Sequence, residues 1–498
     1  MRFRLLIAAA WLAGLAAVAA VVPAGPRRTL AGPGLFRGFT PDGRQYVTVT
    51  PVDVGGDPHT VATLWDADTG QPTGVIQGPG PAYDLTFSPD GGRVVGYYWQ
   101  PEAPHRGTLV VWDRMADGRW AAPVTTDAGS GVAFFRIFLG DGRTVVSPDR
   151  DGLILWNPPA PPRRLAVDSP GPKSFAVAAA VSPDGAELVV AWLMPNERNW
   201  QWPSVAVYDP TTGRTRFARE LLDRPEHPMS GAYQVGIERV EFAPDGRTLA
   251  VTGNANWGLI EPAGQLDRYF VCLLDAATGA ERARLVSHRG PAFSADGRTL
   301  VSVRQTLTAD ELTVTDLGTG RGRVVAEYPR QIKWGGMTPG SGWFALRRDW
   351  LAWPTRVADG RILAVRTNDP PPGALRERLA GWSARYLNRP IKPYVDTRVI
   401  DATTGQELGA IRASIPYPDF ATIASDSRCV AVPGDRSAPP QPPGTETDTL
   451  WDLPPRQPMS WLAAAAAGWT AIVLGPVALI RFRRNRRRKR TGAAVTPA

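Results

Sequence analysis

The sequence predicts an all-β chain assembled from repeated four-stranded antiparallel sheets, and three observations predict it. A Pro-Asp-Gly-type turn recurs at Asp42, Asp90, Asp141, Asp184, Asp245 and Asp296, degenerates at Pro339-Gly340 and returns weakly at Ser425-Asp426. Each turn is followed by an apolar run ending in Trp-Asp or a related pair, from Trp65-Asp66 and Trp112-Asp113 to Ile400-Asp401 and Trp451-Asp452. Most of those pairs lead into a second turn closed by Thr-Gly, as in Asp66 to Gly70, Asp275 to Gly279 and Asp401 to Gly405. Self-similarity of this kind marks a repeat architecture.

The stretch Phe87 to Gly118 shows how one unit is built. In Ser88-Pro89-Asp90-Gly91 the proline presets φ, the aspartate bonds its own backbone, and the glycine takes the positive φ that closes a tight hairpin. The β-rich run Arg93 to Trp99 and the run Thr108 to Trp112 then read as strands, because β-branched and aromatic residues suit a pleated surface. A fourth strand follows the second turn, which makes each unit a meander.

Eight such units stand in register between Thr29 and Asp452. The combination of Phe-x-Pro-Asp-Gly, Leu-Trp-Asp and Thr-Gly resembles the WD-repeat β-propellers. That resemblance implies eight four-stranded blades around an axis, with seven as the alternative count. It also implies a binding module more often than an enzyme. One feature departs from the family: a Gly-His pair before each unit is missing, and only His288 lies near such a position. Blade rigidity is therefore expected to come from packing.

The two ends of the chain read differently. Residues 1–24 carry Arg2 and Arg4 and then an uncharged run, Leu5 to Val22, with small residues suited to cleavage near Ala19 or Ala24. This is the pattern of a signal peptide, with an uncleaved signal anchor as the alternative. Residues 27–453 form the repeat domain and 454–460 a short linker. Residues 461–480 are uncharged, long enough as a helix to cross about 30 Å of hydrocarbon. The tail 481–498 holds eight basic residues between Arg481 and Arg490, a stop-transfer flank expected to stay cytoplasmic against anionic lipid. The expected topology places the repeat domain outside a bacterial cell membrane.

Charge supports that division. The net charge of +9 suggests an anionic partner until the ends are set aside, after which 46 basic residues face 47 acidic ones. Nucleic acid is not an expected partner. The last unit stops at Trp451-Asp452 without a fourth strand, and the N-terminal segment near Arg28 is placed to supply it. Cys272 and Cys429 fall in the fifth and eighth units, too far apart in a ring to bridge, and read as buried apolar residues.

Meander geometry puts the Pro-Asp-Gly and Thr-Gly turns on one end of the ring, with both chain ends, and puts all the long connections on the other. These are Trp99 to Arg106, Leu193 to Pro203, Leu222 to Tyr233, Asn254 to Arg268 and a long insertion in the seventh unit. That insertion spans residues 347–396 and leaves two candidate hairpins, Pro339-Gly340 and Ala358 to Arg361. It also holds a helical pattern, Ala374 to Leu387, read as a cover for the flank.

Loops on a rigid scaffold are where binding usually resides. Tyr98, Trp99, Arg198, Trp200, Trp202 and Trp257 are the candidate partner-binding residues, because Trp, Tyr and Arg dominate interface anchors. The alternative is that these rings fill gaps between blades. His59, His105, His227 and His288 lie in different units, so no metal site is expected, and no catalytic or cofactor motif is present. The expected function is a noncatalytic, membrane-anchored protein-binding or scaffold module whose partner is a protein or other envelope component. The alternative is a propeller hydrolase or lyase acting on an extracytoplasmic polymer.

Overall fold

The computed structural model describes residues 27–452 apart from interruptions, the longer ones at 100–106, 129–134, 196–200, 223–233, 257–268, 335–344, 369–394, 414–421 and 433–447, together with Trp11 and a few positions between 463 and 482. The chain forms eight antiparallel sheets of four strands, one of them with a divided first strand, and a separate two-stranded hairpin. Blade 2 is representative: Ala82–Phe87, Arg93–Trp99, Gly107–Asp113 and Val124–Asp127 pair in simple succession.

Turn chemistry explains why the strands reverse where they do. In blade 2 the Ser88 hydroxyl donates to Asp90 at 2.5 Å, Asp90 accepts the Gly92 N–H at 2.9 Å, and Ser88 Oγ accepts the Arg93 N–H at 2.8 Å. Blades 1, 4 and 6 repeat this with Thr40-Asp42, Ser182-Asp184 and Ser294-Asp296. In the second turn, Asp66 accepts from the Thr69 N–H at 2.6 Å and its hydroxyl at 2.8 Å, as do Asp275 and Asp316 with Thr278 and Thr319. These donors hold the carboxylates below their usual pKa, most clearly Asp275, lowered to about 2 by Arg282 and Thr278.

From blade 1 to blade 7 the sheets pack face to face in chain order. One buried apolar cluster joins blades 1 and 2 through Val47, Leu64, Val94 and Trp112, and another joins blades 4 and 5 through Val205, Val207, Leu249 and Val251. Equivalent clusters link 2 to 3, 3 to 4, 5 to 6 and 6 to 7. A further cluster joins blade 8 to blade 1 through Cys429, Ala431, Leu450, Phe36 and Tyr46. The last sheet thus meets the first, which is the arrangement of an eight-bladed β-propeller.

Blade 8 is completed from the other end of the chain. Its strands Thr422–Ile423, Cys429–Val432 and Asp448–Asp452 take Arg28–Leu30 as the fourth, in the register Arg28↔Leu450, Thr29↔Thr449, Leu30↔Asp448. Arg27 reinforces the join, donating to Asp68 of blade 1 at 2.5 Å and lying 3.5 Å from Asp452. At Gly43, with φ of 70°, a Cβ would stand 2.7 Å from Asp426 Cγ, so the turns of blades 1 and 8 touch directly. Pairing of this kind removes an exposed sheet edge.

Blade 7 settles its own registration. Thr355–Arg356 pairs with Ile362–Asn368 through Thr355↔Leu363, so the first hairpin spans Ala358 to Arg361. Pro339-Gly340 lies instead between the strands Ile332–Trp334 and Ala345–Arg347 of the separate hairpin. The sequence pattern Ala374 to Leu387 lies outside the described residues. So does most of 461–480, and among the described residues no helix is long and apolar enough to cross a membrane. Cys272 and Cys429 are free and buried in blades 5 and 8, as their spacing implied.

The blade indoles find separate partners. Trp65 donates to the Thr48 hydroxyl at 2.8 Å, Trp112 to the Gln77 carbonyl at 3.1 Å and Trp156 to the Ala160 carbonyl at 3.1 Å. No single network repeats among them.

Candidate functional site at the long-connection end

In each meander the first strand begins, and the second ends, at the side opposite the Asp-Gly turns. In blade 4 the hairpin of Leu188–Pro195 and Gln201–Tyr208 stays in register to Pro195↔Gln201. The connection there is therefore 196–200, shorter than the span Leu193 to Pro203 suggested by the sequence. Arg198 and Trp200 fall in it, outside the described residues, as does Trp257. Trp99 ends the second strand of blade 2 opposite Gly107, and the connection 100–106 follows.

Two of the candidate residues are interior. Tyr98 is 3% exposed in the cluster between blades 1 and 2, edge-on to Trp112 with centroids 6.1 Å apart, and its hydroxyl fills the space a side chain on Gly78 would need. Burial raises its phenol pKa well above the usual value. Trp202 is 5% exposed in the cluster between blades 4 and 5, with Met194, Leu221 and Ile237. Both rings fill gaps between blades and form no part of an exposed rim. The reason is alternation: both faces of a blade are covered, so an aromatic near a strand end is buried whichever way it points.

What the sequence reading missed at this end is an arc of buried polar groups. In blade 3, Arg136 is buried with its guanidinium 5.3 Å from the centre of the Tyr97 ring, and buried Asp149 pairs with Arg164 at 2.8 Å. In blade 5, the Asn254 amide donates to Glu238 at 2.7 Å. Blade 6 is richest: His288, Arg289, Ser302, Gln305, Asp310 and Thr313 are all buried on its first three strands.

There the His288 Nδ1 lies 2.8 Å from the Ser302 hydroxyl, and Thr313 Oγ1 lies 3.1 Å from that hydroxyl while donating to the Ser302 carbonyl at 3.0 Å. Burial, with the positive charge of Arg304, lowers the imidazole pKa to about 4, so the ring is neutral at physiological pH. Arg289, 1% exposed, lies 3.7 Å from Asp310 and 5.9 Å from the centre of the Tyr269 ring. The preceding Ser287 has φ of 64°, a strained value for serine, and forms a one-residue link from blade 5.

A signal for these groups was present in the sequence. His288-Arg289 opens a strand where most units have an apolar residue, and Gln305 and Asp310 flank a short turn. Chemically the arc provides fixed donors, acceptors and charges in a low-dielectric wall. Among the described residues no three or more His, Cys, Asp or Glu side chains are placed to hold a metal ion.

No protein-family profile matches the sequence, and no curated protein matches it. Solved structures do. The chain is similar to the C-terminal WD40 domain of Sif2, at 12% identity and a TM-score of 0.48, over 86% of this chain and 98% of that one. It is also similar to a periplasmic gluconolactonase of Pseudomonas aeruginosa, at 19% identity and 0.38, over 60% and 86%. A protein from Lactobacillus plantarum gives 15% identity and 0.40, over 59% and 84%. The propeller assignment is carried by the eight sheets and their packing, independently of these likenesses.

Proposed function

We propose that this protein is a noncatalytic, extracytoplasmic propeller, held to the cell membrane by the segment 461–480, that recognises a protein or other envelope component through its long-connection end. The observation that carries this reading is the asymmetry of the ring. One end consists of short turns whose Asp, Ser and Thr side chains bond their own backbone. At the other end the strands lead into the longer connections, and polar groups are buried on the strands there. A scaffold of this kind leaves recognition free to vary without touching the core. Arg198, Trp200, Trp99 and Trp257 supply the anchors, and the C-terminal end, leaving blade 8 from the turn end, supplies the tether.

Proximity labelling from the long-connection end in intact cells tests this. Replacing 196–200 by Asn-Gly should remove labelled neighbours while the unfolding midpoint stays unchanged. Trp202→Ala is unsuitable as a control, because that ring is core. Unchanged labelling after the replacement would refute the role given to this connection.

A further inference from the structure

Trp11, in the first apolar segment, meets Trp469 and Thr470 in the last. The Trp11 indole donates to the Thr470 hydroxyl at 3.0 Å, and the Trp469 indole donates to the Trp11 carbonyl at 3.3 Å. Thr470 in turn donates to the Ala466 carbonyl at 2.7 Å, so its hydroxyl is used twice. We propose that the segment Leu5 to Val22 is retained in the mature protein and pairs with 461–480 inside the bilayer, so that the chain crosses the membrane twice with both ends cytoplasmic.

Register supports the pairing. Arg28 and Leu450 are partners in the strand pair that closes blade 8. Trp11 stands 17 residues before Arg28, and Thr470 stands 20 after Leu450. The contact thus lies a similar number of residues, 17 and 20, from one strand pair on each side. The closing strand pair sets Arg28 and Leu450 side by side, and the chain leaves both toward the turn end.

Solvation supports it too. Hydrocarbon offers no water to an indole N–H, and a hydroxyl or carbonyl on a neighbouring helix is the alternative partner. Trp11 and Trp469 each satisfy that need across the contact. Leu5 to Val22 is 18 uncharged residues, about 27 Å as a helix, close to the hydrocarbon thickness. Charge agrees: Arg2 and Arg4 flank one segment and the Arg481 to Arg490 run flanks the other, both on the side where the positive-inside rule keeps them.

This inference rests on the membrane-anchored reading above, and the test separates the two. The full chain is purified from carbonate-washed membranes for intact mass and N-terminal sequencing. In parallel, Trp11→Cys is combined with Thr470→Cys for oxidative cross-linking, with Trp11→Cys and Ile480→Cys as the control pair. Cys272 and Cys429, buried in their blades, stay in place. The expected result is a chain that keeps residues 1–24 and a cross-link that the control pair lacks. A washed-membrane chain beginning near residue 20 or 25 would overturn retention and leave the single anchor standing. Retention without the cross-link would overturn the pairing. Release of the chain by the carbonate wash would overturn both readings.

Discussion

The two ends of the propeller solve the same problem, reversing a strand, in opposite ways. At the turn end, Asp90 and its counterparts take up the backbone N–H groups, and Arg93 ties neighbouring blades with bonds to Asp113 at 2.6 and 2.9 Å, to the Arg143 carbonyl at 2.7 Å and to Asn157 at 2.8 Å. Arg163, Arg219 and Arg323 likewise donate to carbonyls in the second turn of the next blade, at Thr211, Gly279 and Thr403. At the other end, polar groups such as Arg289 and Asp310 are buried without a repeating pattern, and connection lengths run from one residue at Ser287 to much longer spans. Where the chain repeats, its polar residues serve the scaffold. Where it varies, they are buried in pairings particular to one blade.

Substitutions at the two ends test that contrast, beginning with the turn end. Arg93→Ala should lower stability by about 2–3 kcal/mol, because it strands Asn157 and Asp113, with a discount for the half-exposed aspartate. Arg93→Lys should recover less than half, since an ammonium cannot match the bidentate fork. Denaturant midpoints measure both.

At the opposite end the leading effect is proton-linked. His288 is held neutral in the fold, with its pKa lowered to about 4 from 6.5. Because the unfolded chain binds a proton that the folded one refuses, stability falls as pH drops from 6.5 towards 4, by at most about 3 kcal/mol. His288→Gln should flatten that part of the pH profile.

Gly43 and Gly91 separate ring closure from turn geometry. Both have a φ near 70°, but only at Gly43 does an added Cβ meet another blade. Gly91→Ala should cost about 1 kcal/mol and Gly43→Ala more, about 2 kcal/mol, as read from paired melting curves. The smallest effect on stability is expected for replacing 196–200 by Asn-Gly, within about 0.5 kcal/mol.

Thiol chemistry checks the same interior without changing a residue. Burial pushes both Cys272 and Cys429 up to about 12. Neither should react with a disulfide reagent at neutral pH until the ring unfolds, when both should react. A fast-reacting thiol in the folded chain would place one of the two outside its blade.

The repeat, the turns and the closing strand were legible because each depends on local chemistry. Ser88-Pro89-Asp90-Gly91 states its own conformation, and the missing fourth strand after Trp451-Asp452 calls for a partner. Unit seven misled at Pro339-Gly340, because a turn signal does not reveal which sheet its strands join. Tyr98 and Trp202 misled for a related reason. Loop-edge aromatics look alike in sequence whether they face solvent or the next blade, and only the neighbouring sheet decides. The pairing of His288 with Ser302 and Thr313 joins three strands, and no spacing rule announces it.

Blade 4 carries both kinds of end on one sheet and so offers the most direct measurement. A photo-reactive residue is placed at Asp184, in the short turn, or at Arg198, in the opposite connection, and the full chain is irradiated in intact cells. Recognition through the long-connection end predicts discrete covalent adducts from position 198 and none from position 184. Adducts from 184 alone, or equally from both, would contradict it.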